Sequence, residues 1–102
     1  MTEVIDQKPK TKSKNKVKRP KNWAVVIHND DYTPMDFVVW ILISIFKRSE
    51  EHASRITFAV HEKGQGIAGI FRHEIAETKA HDTILAAKQN NFPLLATVEE
   101  VE

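Results

Sequence analysis

The sequence predicts an α+β fold: a small single-domain sandwich with a three-stranded antiparallel sheet, three helices on one face, and the element order β-α-α-β-α-β. Three short apolar segments, residues 23–27, 66–71 and 94–98, are rich in strand-favouring residues, and the segments between them space their apolar residues as helices do. The chain of 102 residues is long enough for one hydrophobic core and too short for a second domain.

The first strand and the first helix are marked by their boundaries. Residues 23–27 are almost entirely apolar, and residues 28–31 that follow are His-Asn-Asp-Asp, a run of turn-forming residues. Residues 33–36, Thr-Pro-Met-Asp, predict a helix start with Thr33 as the capping residue, proline at the first helical position and an acid at the positive end of the helix dipole. This helix is expected to run to about Arg48, because cations favour the carboxyl end of a helix.

The second helix has a start signal and a stop signal. Ser49 is a capping residue followed by two acids, and Gly64 is suited to end the helix in a left-handed conformation. Its predicted inner stripe consists of Ala53, Ile56, Thr57 and Val60.

The second half of the chain repeats the alternation of strand and helix. Residues 66–71 predict a strand, and Arg72 or His73 leads into a third helix. Its predicted inner side consists of Ala76, Ala80, Thr83, Ile84 and Ala87. Pro93 stops helix propagation, and residues 94–98 predict the last strand.

Charge divides the chain into a tail and a body. Residues 1–21 contain eight Lys or Arg and two acids, whereas residues 22–102 contain seven bases and twelve acids. Lysines, prolines and small polar residues cannot bury enough surface to offset chain entropy, so residues 1–21 are predicted to be a disordered basic extension and residues 22–102 the folded domain.

Composition also limits the class of protein. There is no cysteine, which excludes disulfides, thiolate metal sites and a cysteine nucleophile. The most apolar stretch, residues 37–46, is shorter than the roughly 20 residues that span a membrane. The basic tail lacks the apolar run of a secretory signal peptide. A cytoplasmic protein without a membrane partner is therefore expected.

Four sequence blocks give a more specific indication. Residues 29–38, 59–61, 76–79 and 93–95 resemble the ClpS family in residues, order and spacing, and the resemblance extends over about residues 22–100. It implies an adaptor without enzymatic activity or cofactor. Such an adaptor binds proteins that begin with a free, bulky apolar residue (Leu, Phe, Tyr or Trp) and delivers them to the ClpA-type AAA+ unfoldase of the ClpAP protease.

The resemblance implies which residues bind the substrate amino terminus. The Asn29 side chain and the His61 ring would contact the ammonium group, Asp31 would add negative charge, and the Asp30 region would supply backbone contacts. An ammonium group carries three donors, so its specific capture requires several convergent acceptors. An acetylated terminus would leave those acceptors unpaired.

The resemblance also implies an apolar pocket for the first side chain. Its predicted lining is Thr33, Met35, Val38, Thr57, Val60 and Leu94. Most family members carry methionine where this chain has Thr57, at the expected rim of the pocket. We therefore predict that Ile and Val are also accepted as first residues, with an energetic effect of about 1 to 3 kcal/mol.

Docking on the amino-terminal domain of the unfoldase is expected at the start of the third helix. The resemblance points to Glu74 and Lys79, with Glu77 and Thr78 nearby. Trp40 and Ile43 fall on the outer side of the first helix, where relatives tend to be polar, and they are either isolated exposed residues or a partner surface. A monomer is expected.

Two other classes of function remain open at this stage. The basic tail would suit nucleic acid or another acidic partner, although it lacks aromatic residues for stacking. An enzyme is disfavoured, because His73-Glu74 is followed by Glu77 where a zinc hydrolase helix needs a second histidine. The glycines of residues 64–69 match a dinucleotide motif only in spacing.

Overall fold

The computed structural model describes residues 21–101. Its elements are β1 (Asn22–His28), α1 (Met35–Ser44), α2 (Glu50–Lys63), β2 (Gln65–Phe71), α3 (His73–Gln89) and β3 (Leu95–Val101). The predicted order β-α-α-β-α-β is confirmed. Residues 1–20 lie outside the described part of the chain, so the predicted disordered extension and its proposed binding to acidic partners stay predictions.

The sheet has β1 at its centre. β1 pairs antiparallel with β2 on one side and with β3 on the other, giving the order β2-β1-β3. The predicted three-stranded antiparallel sheet with helices on one face is therefore confirmed. The register between β1 and β2 shifts at Val25/Val26, where β2 contains a bulge.

The core lies between the sheet and the helices. Val25 and Ile27 of β1 are fully buried and pack against Ile41 and Leu42 of α1 in one cluster. Helices α2 and α3 contribute mainly small residues, and the predicted alanines Ala53, Ala76, Ala80 and Ala87 are all buried. Small side chains let the helices approach the sheet closely, which fits a core in a domain of this size.

The start of α1 differs from the prediction in its capping. Pro34 occupies the N-cap position with φ −65° and ψ 145°, and no side chain caps the helix. The Thr33 hydroxyl instead donates to the Asp30 carboxylate at 2.8 Å. The predicted capping role of Thr33 was therefore wrong, because the preceding turn uses its hydroxyl.

The end of α1 also differs from the prediction. The helix ends at Ser44 rather than near Arg48, and Lys47 takes a left-handed conformation with φ 57°. The Arg48 backbone N–H then donates to the Leu42 carbonyl at 3.0 Å. This reversal keeps Phe46 buried in the core, so tertiary packing outweighs the preference of two cations for a helix end.

The other boundaries follow the sequence signals more closely. The Ser49 side chain caps α2 by accepting from the His52 N–H, and Gly64 ends it with φ 91°. The last strand begins one residue later than predicted and extends to Val101, because β3 pairs with β1 along the whole length from Leu95 to Val101. Among residues 21–101, no helix is long and apolar enough to cross a membrane.

Candidate functional site

One narrow cavity lies where β1 ends. It is lined by His28, Asn29, Asp30, Thr33, Met35, Val38, Thr57, Val60, His61 and Leu94. These residues come from the end of β1 and its following turn, from α1, from α2 and from the residue before β3. We call this cavity the slot. All of the residues predicted from the sequence for the amino-terminal site and the apolar pocket line it, except Asp31.

The slot is graded from a polar mouth to an apolar floor. Asn29 and His61 are exposed, and Asp30 and Thr33 are half-buried. Its floor is formed by buried side chains, namely Val38, Thr57, Val60 and Leu94. A ligand with a charged end and an apolar side chain matches this gradient, since each part meets its preferred surroundings.

The mouth is held in place by a backbone link between two elements. The Asn29 N–H donates to the carbonyl of Gly64 at 2.9 Å, so the turn after β1 is fastened to the carboxyl end of α2. His61 lies in the last turn of that helix. The link fixes the distance between the two elements that carry the Asn29 and His61 side chains.

The turn itself is organised by Asp30. Its carboxylate accepts from the Tyr32 N–H at 2.8 Å, from the Thr33 N–H at 2.7 Å and from the Thr33 hydroxyl at 2.8 Å. Partial burial raises the pKa of Asp30, but the hydrogen bonds from Thr33 and Tyr32 outweigh it and hold the pKa below its ordinary value. Asp30 is therefore a structural anion that shapes the mouth.

Asp31 lies outside the slot lining and is exposed. Its carboxylate belongs to the same turn, one residue from Asp30, so it adds negative charge near the mouth. His28 also lines the slot, whereas its sequence position predicted only a turn residue. Its ring nitrogen lies 2.8 Å from the Thr97 hydroxyl, and its position as the last residue of a buried strand was the available signal.

Thr57 does not lie at the rim of the slot. It is only 3% exposed, and its hydroxyl donates to the Ala53 carbonyl at 2.8 Å. The rim position implied by the resemblance is therefore wrong, whereas the inner position predicted from the helical spacing of α2 is confirmed. Because the helix backbone satisfies its hydroxyl, the remaining methyl group behaves as apolar lining. At the mouth lies Met35 instead, with 47% of its surface exposed.

The residues predicted for unfoldase docking lie on the first half of α3. Glu74, Glu77 and Thr78 are exposed, and Glu77 is 3.0 Å from the His73 ring nitrogen. Lys79 differs from them because its ammonium donates to the Ile45 carbonyl at 2.7 Å. The same ammonium lies over Phe46 and Phe71, at 5.8 and 5.5 Å from the ring centroids.

The zinc-like pattern of the sequence lies at the start of α3. Within residues 21–101, no group of three or more His, Asp or Glu residues could hold a metal ion. His73, which begins the zinc-like pattern, packs against Trp23 with ring centroids 4.2 Å apart and the rings tilted by 40°. The pattern is therefore explained by packing at the start of α3.

Comparison with known proteins identifies the family of this chain. The family described as ATP-dependent Clp protease adaptor protein ClpS matches residues 18–97. The ATP-dependent Clp protease adapter protein ClpS of Treponema denticola is 52% identical over 82 residues, covering 80% of this chain and 81% of the relative. The relative from Lawsonia intracellularis is 45% identical over 94 residues, covering 92% of this chain and 86% of its own length.

A solved structure shares the fold. It is the structure of Agrobacterium tumefaciens ClpS2 bound to L-phenylalaninamide, which is 37% identical in sequence to this chain and superposes with a TM-score of 0.79. The alignment covers 81% of this chain and 100% of the Agrobacterium chain. The family match extends over most of the chain, and the curated relatives align over most of their own lengths. This chain therefore belongs to the ClpS family of Clp protease adaptors.

Proposed function

We propose that the chain binds the free amino terminus of proteins that begin with Leu, Phe, Tyr or Trp and delivers them to a ClpA-type AAA+ unfoldase for degradation. The observation that carries the proposal is the gradient of the slot. Exposed acceptors at Asn29 and His61 stand at the mouth, and buried apolar side chains form the floor.

Each part of the slot has a separate task in this proposal. The Asn29 side-chain oxygen and the His61 ring accept from the ammonium group, and Asp31 attracts it by charge. The apolar floor takes the first side chain, and burial of a Leu or Phe side chain is worth about 1.5 to 3 kcal/mol. This range suits an adaptor, which must release the substrate after delivery.

The ligand of the Agrobacterium protein has the chemistry that the slot would require. Phenylalaninamide has a free amino group, an aromatic side chain and an amide in place of the next peptide bond, and that protein is 37% identical to this chain. The same three groups occur at the amino terminus of any protein that begins with Phe. The likeness supports recognition of an amino-terminal residue.

The slot must widen to accept such a side chain. Its volume is about 10 Å³, room for about one water molecule. Met35 stands at the mouth, and its unbranched thioether side chain can change rotamer at little cost. We therefore propose that Met35 moves aside when the first residue enters, while the buried floor stays in place.

Peptide binding tests the recognition step. Fluorescence anisotropy would compare labelled peptides that begin with Leu, Phe, Tyr, Trp or Ala, together with acetylated Leu. We expect the four peptides with bulky free termini to bind. The Ala peptide leaves the apolar floor unfilled and the acetylated peptide leaves the acceptors unpaired, so both should bind at least tenfold more weakly. Equal binding of free and acetylated Leu would refute recognition of the amino group.

Delivery needs a second surface, and we propose the exposed start of α3. Glu74 is the charged residue to alter, and Asp82 is a matched control because it is exposed on the same helix two turns later. The assay is degradation of a reporter with an amino-terminal Leu by ClpA and ClpP. Glu74→Lys should slow degradation without weakening peptide binding, whereas Asp82→Lys should change neither; equal effects of the two would contradict this docking site.

A further inference from the structure

A second apolar depression lies on the outer side of α1, beside the slot. It is lined by Pro34, Asp36, Phe37, Trp40 and Phe92 and has a volume of about 340 Å³. We call it the aromatic groove. Trp40 is 52% exposed, so an indole face is available to a ligand.

The rings of the groove support one another. Phe37 and Trp40 are stacked, with centroids 5.8 Å apart and an interplanar angle of 29°. Phe92 meets Phe37 edge-on, with centroids 4.9 Å apart and an angle of 64°. Phe92 is held by its backbone N–H, which donates to the Ala87 carbonyl at 2.8 Å. The groove is therefore a preformed aromatic surface.

The groove and the slot are lined by residues that are neighbours in the sequence on both walls. On α1 and its N-cap, Pro34 lines the groove and the next residue, Met35, lines the slot. On the opposite wall, Phe92 lines the groove and Leu94 lines the slot. Residues 2 to 4 of an extended peptide lie about 4 to 11 Å beyond the first residue, since consecutive Cα atoms are about 3.8 Å apart, so we place the ligand of the groove among them.

The charge on the α1 wall of the groove favours a cationic side chain. Asp36 is part of the lining, and Asp30 and Asp31 stand in the adjacent turn. Residues 29–46 contain these three acids and no Lys or Arg. Aromatic faces carry negative electrostatic potential, and a guanidinium group stacks on them while pairing with a carboxylate.

We propose that the aromatic groove binds an arginine side chain at residue 2, 3 or 4 of the substrate, stacked on Trp40 and paired with Asp36. This inference rests on the proposed function, since it requires the first residue to occupy the slot. It adds a sequence preference beyond the first residue. Side chains of an extended peptide alternate in direction, which separates position 3 from positions 2 and 4, and positions 2 and 4 lie about 7 Å apart along the peptide, so one of the three positions should dominate.

The test is a positional scan of peptides that all begin with Leu. One peptide has Ala at positions 2 to 4, and three others place a single Arg at position 2, 3 or 4. Anisotropy should show about threefold to tenfold tighter binding for Arg at one position only, the range expected for a cation on a half-exposed aromatic surface. Glu at that position should bind more weakly than Ala.

Variants separate the groove from general charge attraction. Trp40→Ala should remove the arginine gain and leave the Ala peptide unchanged, and Asp36→Asn should remove part of it. Trp40→Phe should retain most of the gain, because a ring face remains. Ile43→Ala is the matched control, since Ile43 is exposed on the same helix and outside the groove lining. Thermal unfolding would confirm that each variant is folded.

The outcomes distinguish this inference from the proposed function. If the Leu-Ala peptide binds and Arg has no effect, or has the same effect at all three positions, the groove is not a subsite. If the arginine gain survives Trp40→Ala, the attraction is diffuse and the inference is wrong. If no peptide that begins with Leu binds to the wild-type protein, the proposed function fails and this inference falls with it.

Discussion

The slot and the exposed start of α3 are both proposed contact surfaces, but the chain builds them in opposite ways. The slot draws its lining from four separate parts of the chain, and its floor is continuous with the core. The α3 surface consists of Glu74, Glu77 and Thr78 on one helix, with local contacts to residues one turn away. The geometry of the proposed recognition site is thus fixed by the fold, whereas the proposed docking surface consists of exposed side chains that the fold hardly constrains.

Lys79 belongs to the predicted docking surface but also contributes to the packing of the fold. It belongs to the block of sequence that predicts docking, yet its ammonium is bound to the carbonyl of Ile45 and lies over two buried or half-buried rings. That contact connects α3 to the turn after α1, which precedes the helix carrying Thr57 and His61. A substitution of Lys79 therefore acts on the fold as well as on any partner.

The largest effect should be a loss of peptide affinity caused by a substitution at the mouth of the slot. Asn29→Ala removes an acceptor for the substrate ammonium, and a hydrogen bond to a charged group is worth about 1.5 to 3 kcal/mol. Peptide affinity should therefore fall about tenfold to a hundredfold. Anisotropy with a Leu peptide measures this loss.

The matched control for that loss is Glu74→Ala on α3, which should leave peptide affinity unchanged. Binding of the isolated unfoldase should show the reverse pattern, with Asn29→Ala unaffected. If both variants weakened both interactions, the slot and the α3 surface would be a single energetic unit and the contrast between them would be wrong.

Lys79 should give the next largest effect, on stability. Lys79→Met keeps most of the aliphatic stem but loses the hydrogen bond to Ile45 and the contact with Phe46 and Phe71, so unfolding free energy should fall by about 1 to 3 kcal/mol. Urea unfolding measures it. Glu77→Gln is the control, because its exposed pair with His73 should contribute less than about 1 kcal/mol. Equal stability of the two variants would show that Lys79 is only a surface cation.

A part of the chain is predicted well from sequence where local contacts determine its structure, and poorly where distant contacts do. Ser49, Gly64 and the alanines of α3 act through local capping and helical spacing, so the helices they mark were predicted. The end of α1 was not, because the burial of Phe46 and the left-handed Lys47 depend on contacts distant in sequence.

The slot was accessible from sequence only through the family resemblance. Nothing in local spacing shows that Asn29, His61 and Leu94 meet, since they lie on three different parts of the chain. For Thr57 the helical spacing of α2 predicted the inner side and the resemblance predicted the rim, and a threonine is compatible with either. Its hydroxyl bond to the Ala53 carbonyl, seen only in the folded helix, decides between them.

The position of Thr57 leads to a smaller effect, on selectivity. Because Thr57 is buried in the floor, Thr57→Met should shorten the slot and weaken binding of the longest first residues, Trp and Phe, by about 1 kcal/mol, roughly fivefold, relative to Leu. A rim position would instead give the largest losses for Ile and Val. Anisotropy with peptides that begin with Trp, Phe, Leu, Ile or Val shows which first residues lose the most affinity, and so distinguishes a floor position of Thr57 from a rim position. Thr57→Val, nearly equal in volume, controls for loss of the hydroxyl.

The smallest effect concerns the pH dependence of the turn at the mouth. The Asp30 pKa in the folded protein lies below its ordinary value of 3.8, because hydrogen bonds from Thr33 and Tyr32 outweigh the effect of partial burial. A carboxyl with a lowered folded pKa contributes stability that is complete above its ordinary pKa and is lost as the pH falls through the folded value.

Asp30→Asn isolates this contribution, since the amide accepts hydrogen bonds but does not titrate in this range. The wild-type protein should be more stable than the variant at pH 6, and the difference should shrink as the pH is lowered below 3.8. Urea unfolding at a series of pH values measures it. Glu74→Gln on α3 is the comparison, because its carboxylate accepts no such set of hydrogen bonds within the described residues. A constant difference for Asp30→Asn would mean that shape alone, and not charge, holds the turn that presents Asn29 and Asp31.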